Sequence, residues 1–100
     1  MNKNRKTKFQ KWISITPDIY YNLPDVPVLA CPNCHQLGVD FQFIGNLQTR
    51  IGYMAIWFPF CLYGIHLSRV SIPDKTQALS FDTSAEEISK RIPNFTHISP

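Results

Sequence analysis

Three cysteines, Cys31, Cys34 and Cys61, are the residues of this chain best equipped for chemistry. Cys31-Pro32-Asn33-Cys34 has the spacing at which a tight turn aims two thiolates at one point while backbone amides donate to sulfur. Two thiolates are half of a tetrahedral zinc site, which takes four ligands and usually draws the second pair from another turn brought alongside by a hairpin. The sequence offers that second turn at Phe58-Pro59-Phe60-Cys61. Both turns share the proline, and a glycine follows each at short range, Gly38 after the first and Gly64 after the second. Position 58 is where the fourth thiolate is expected, and it holds phenylalanine.

Two arrangements satisfy this pattern. In one, Cys31, Cys34 and Cys61 hold zinc and an imidazole completes the shell, with His35 the first candidate and His66 the second. In the other the site carries no metal and the ring of Phe58 fills its place. His35 follows Cys34 directly, and a neighbour in such a turn ordinarily points away from the metal. His66 lies on an expected strand and reaches the site only if that strand bends. His97 has no partner in sequence.

The elements that must position these sulfurs are legible from periodicity. Val39, Phe41 and Phe43 alternate with Asp40 and Gln42, the period-two mark of a half-buried strand. Asn46-Leu47-Gln48-Thr49 makes a hairpin turn. Ile51 to Phe58 is apolar on both phases and is expected to be covered on both faces, with Ile51, Tyr53, Ala55 and Trp57 on one and Met54, Ile56 and Phe58 on the other. Ile65 to Ile72 gives a third strand, Pro73-Asp74 a turn, and Ala78 to Phe81 a short fourth. Asp82-Thr83-Ser84 followed by Glu86-Glu87 has the form of a helix N-terminus, so a short helix is expected over 82–92, stopped by Pro93. Residues 94–100 dock in extended form through Phe95 and Ile98.

Upstream, residues 1–11 read as a flexible basic tail, and 12–100 as a single domain whose core lies at 31–72. Prolines at 17, 24 and 27 fix φ and remove amide donors, so the stretch from Thr16 to Cys31 reads as an extended connector laid over the body.

The paired turns, with the 23 residues between Cys34 and position 58 sufficient for two strands and a hairpin, resemble the zinc-ribbon family with its rubredoxin-like knuckles, over about 42 of the 100 residues. The chain also resembles small bacterial proteins of this type, a likeness that carries no function. The resemblance implies a structural zinc ion and a ribbon that serves as a platform for nucleic acid or protein. The fold expected is a small β-rich α+β one: a three-stranded antiparallel zinc-ribbon-like sheet with an extended N-terminal segment and one short C-terminal helix.

Composition limits the function classes. Hydrophobic residues at 44% and aromatic ones at 13% are those of a globular chain, since a disordered one lacks the apolar surface that offsets its ordering entropy. The net charge of +3 is concentrated in Lys3, Arg5, Lys6, Lys8 and Lys11; the remaining residues carry five bases against seven acids, a net of −2. Nucleic-acid binding is therefore the alternative function, with that arm on phosphates. The first expectation is a non-enzymatic binding or structural module that meets another protein, because no motif sets a nucleophile beside a base and no Gly-rich phosphate loop occurs. A thiol redox protein is the minor alternative, since Cys34 leads toward a strand rather than a helix. With no secretory pattern and an odd cysteine count, a reducing, cytoplasmic setting is expected. Ile51 to Leu67 lacks charge, but Gly52, Pro59, Gly64 and His66 interrupt it and no membrane span is expected.

Overall fold

The computed structural model of the protein describes residues 7–100. Three strands form its centre: β1 (Asp40–Asn46), β2 (Ile51–Trp57) and β3 (Tyr63–Ser71). They pair antiparallel in sequence order, Asp40 opposite Trp57 and Phe43 opposite Met54 in the first hairpin, Ile56 opposite Ile65 and Met54 opposite Leu67 in the second. The first turn closes as the sequence indicates, with Asn46 Oδ1 accepting from the amides of Gln48 (2.8 Å) and Thr49 (3.0 Å). A bulge between Gly52 and Tyr53 admits Arg69 as an extra residue on β3, and Arg69 takes a φ of 56° there.

The expected three-stranded antiparallel ribbon is corrected by two further strands in the same sheet, one of them the short strand expected at Ala78 to Phe81. Both are short, both lie at edges, and both run parallel to their partners: β4 (Ala78–Ser80) beside β1 and β5 (Thr96–His97) beside β3. The sheet is thus five-stranded and mixed, in the order β4-β1-β2-β3-β5. Arg50 secures the return to β4, donating from Nη2 to the carbonyls of Pro73 (2.6 Å) and Thr76 (3.2 Å).

The N-terminal segment is corrected as well. Instead of an extended connector, the chain forms two helices, α1 (Lys8–Ile13) and α2 (Thr16–Asn22). Thr7 caps α1 by accepting from the amide of Gln10 (3.1 Å), and the Gln10 side chain accepts in return from the Thr7 amide (2.9 Å). Pro17 falls in the first turn of α2, where its missing N–H has no intrahelical partner to lose, so the proline that reads as a breaker starts a helix here. Lys8 and Lys11, expected in a basic tail, stand on α1; Lys3, Arg5 and Lys6 lie outside the described residues.

The C-terminal helix α3 (Ala85–Arg91) forms where expected, Ser84 accepting from the amide of Glu87 at 3.2 Å. Each face of the sheet carries a buried cluster. Trp12 and Ile19 from the N-terminal helices bury completely against Phe41, Phe43, Met54, Ile56, Phe58 and Ile65. On the opposite face, Ala55, Trp57 and Phe95 form a second, smaller cluster with Ile92. Arg91 ties α3 to that face, with a bidentate ion pair to Asp40 (2.8 and 3.0 Å) and a further bond to Gln42 Oε1 (2.9 Å). Its guanidinium also lies 5.3 Å from the centre of the Trp57 ring. Among the described residues, no helix is long and apolar enough to cross a membrane.

Candidate metal centre

Register explains why the cysteines meet. Because Asp40 at the start of β1 faces Trp57 at the end of β2, the turn just before β1 and the turn just after β2 lie at the same end of the sheet. Cys31 and Cys34 occupy the first of these, between the bridged residues Ala30 and Leu37, and Cys61 occupies the second, between β2 and β3.

The two turns are built alike. In the first, the Cys31 amide donates to Gln36 O (2.8 Å) and the His35 amide to Cys31 O (2.8 Å). In the second, the Phe58 amide donates to Tyr63 O (3.0 Å) and the Leu62 amide to Phe58 O (2.9 Å). The residue after the second cysteine of the first turn and after the cysteine of the second is left-handed, His35 at φ 67° and Leu62 at φ 55°. By backbone position, then, Phe58 corresponds to Cys31 and Cys61 to Cys34. The glycines are not the matching feature: only Gly38 has a positive φ, at 124°, and a side chain added there meets Phe58 Cε1 at 3.5 Å.

The three thiol sulfurs lie within 4.8 Å of one another, and all three cysteines are free rather than disulfide-bonded. Cys31 Sγ and Cys61 Sγ are 3.7 Å apart, about the span of two sulfurs each roughly 2.3 Å from one tetrahedral ion. The Asn33 amide donates to Cys31 Sγ at 3.3 Å, and Asn33 Nδ2 approaches Cys61 Sγ at 3.9 Å. Donors aimed at sulfur stabilise thiolate, the form that binds metal. The two thiols of the first turn differ sharply. Burial pushes the Cys31 thiol up to about 11, whereas the backbone amide of Gln36 lowers that of Cys34. No helix begins at the Cys31-Cys34 pair, which leads through Gly38 into β1.

Of the residues singled out in the sequence, Cys31, Cys34 and Cys61 are brought together. His35 is exposed and stands outside the group, as does His66, and among the described residues no histidine or carboxylate joins the sulfurs. His66 is opposite Ala55 in the β2–β3 ladder and so projects from the sheet face away from Phe58 and Ile65. There it lies tilted against Tyr53, ring centres 4.7 Å apart, and stacks on His97 at 6.1 Å, which itself stacks on Phe95 at 4.5 Å. This row of rings across β2, β3 and β5 was not readable in the sequence, because it depends on the parallel pairing of β5 with β3. Burial and the neighbouring His97 hold the His66 imidazole below its ordinary pKa.

Comparison with protein-family models, with curated proteins and with solved structures returns no match for this chain. The centre rests on its own geometry.

Proposed function

We propose that the protein is a small non-enzymatic module in which Cys31, Cys34 and Cys61 hold a metal ion, zinc in the first instance, and in which the stapled turns present a surface to another protein. One observation carries the reading: three sulfurs converge within 4.8 Å from two turns of the same backbone design, with an amide already donating to one of them. Zinc accepts thiolate ligands in this form, and its binding adds stability to a chain too short for a large core. The rim supports a protein partner. Leu37 beside the first turn and Phe60 within the second are 65% and 82% exposed, large apolar side chains at the same end of the sheet.

The test is metal content. The full chain, purified under reducing conditions and dialysed, carries about one equivalent of zinc. Replacing all three cysteines by serine abolishes retention and lowers the melting temperature. A wild-type chain without metal, melting at the same temperature in the presence of zinc or chelator, refutes the reading.

A further inference from the structure

The fourth corner of the site is where the chain departs from a tetrahedral design, and its chemistry selects the ion. Phe58 holds the backbone position equivalent to Cys31, with the same pair of hydrogen bonds. Its Cβ therefore leaves the chain toward the centre as a ligand cysteine would. The ring is buried, 1% exposed, with Phe60 packed 5.7 Å away and Gly38 beneath it. Cys31, Cys34 and Cys61 all pack on the apolar cluster that contains Phe58. By this equivalence, three of the four ligand positions of a two-turn site carry sulfur and the fourth carries hydrocarbon.

Two physical arguments follow. Tetrahedral zinc bound by three thiolates is left one protein donor short and carries a net charge of −1. A trivalent ion of the arsenic group is complete with three sulfurs in a pyramid, its lone pair occupies the remaining corner, and its trithiolate is neutral. Soft sulfur ligands favour such thiophilic ions.

We propose that this cluster is a receptor site for trivalent arsenic-group ions, which bind through the three sulfurs and displace the zinc that the same ligands hold in their absence. The proposal rests on the reading that the three cysteines act together as one ligand set. Binding from arsenous acid balances without an oxidant: three As–O bonds break, three As–S bonds form, and the three thiol protons leave on the hydroxides as water. Arsenic stays trivalent throughout.

The experiment uses the reduced, metal-free full chain titrated with arsenite and with zinc, separately and in competition, followed by native mass spectrometry and free-thiol counting. One arsenic per chain is expected, with three thiols lost and retention in the presence of equimolar zinc. Phe58→Cys supplies the missing donor and raises zinc affinity about tenfold or more, while arsenite affinity stays within about twofold because three sulfurs already suffice. Phe58→Leu, which keeps the corner apolar, leaves both affinities near wild type and serves if the cysteine variant does not fold. Zinc displacing arsenite from the wild-type chain, or fewer than three thiols consumed per arsenic, overturns the preference while leaving the metal module standing. Retention of neither ion removes the metal reading itself.

Discussion

Three chemically identical thiols sit in one cluster, and their surroundings set them apart. Cys31 is fully buried, and desolvation pushes its thiol up to about 11 even though the Asn33 amide donates to it. Cys34 is partly exposed, and the Gln36 amide stabilises its thiolate. Since thiolate is the nucleophile, reactivity follows these differences. In the metal-free, reduced chain, limiting iodoacetamide at neutral pH is expected to modify Cys34 before Cys31, read by peptide mapping. With zinc bound, both are protected. Equal labelling of Cys31 and Cys34 at early times would contradict the geometry of the first turn. The pairing of Cys31-Cys34 with a second turn around Cys61 was legible from spacing and the repeated proline. The left-handed residue that closes each turn, after Cys34 and after Cys61, was not, because His35 and Leu62 occupy it where glycine would have advertised it.

At the scale of elements, what can be read depends on how local the determining interactions are. β1 follows from alternation within a few residues, β2 from a short run that is apolar on both phases, and α3 from a serine cap three residues ahead of a glutamate. The N-terminal helices were hidden for opposite reasons. The Thr7–Gln10 capping box lies inside a basic run that reads as a solvated tail, and Pro17 looks like a breaker although a helix's first turn accommodates it. β4 and β5 are three and two residues long, and their parallel partners lie more than thirty residues away in sequence, Phe43 for Ala78 and Tyr63 for Thr96. No local pattern encodes such a pairing. If α2 is a packed helix, neighbouring substitutions on it should differ widely. Ile19 is fully buried, so Ile19→Ala is expected to cost about 2–5 kcal/mol. Tyr21, 89% exposed on the same helix, should tolerate alanine within about 0.5 kcal/mol. Denaturant midpoints decide it, and equal effects at the two positions would return the segment to a loosely laid connector.

For the whole molecule, the sheet divides the chemistry between its faces. One face carries the large core and, at its end, the sulfur cluster. The other carries the row of rings from Tyr53 through His66 and His97 to Phe95, with Trp57 6.0 Å beyond. That second face gives stability a dependence on pH separate from metal binding. His66 faces Tyr53 and His97, and both burial and the His97 charge hold its imidazole below the ordinary value of about 6.5. On acidification the unfolded chain therefore takes up this proton before the native one does. Where the unfolded state binds more protons, stability rises with pH, so stability is expected to fall as pH drops through the ordinary imidazole value and on toward the lowered one. Urea unfolding between pH 7.5 and 5.5, with chelator and reductant present so that metal release plays no part, measures the slope. His66→Gln should flatten it while keeping a planar polar side chain at the same place in the row. An unchanged slope in that variant would mean that the native fold does not resist protonation of His66.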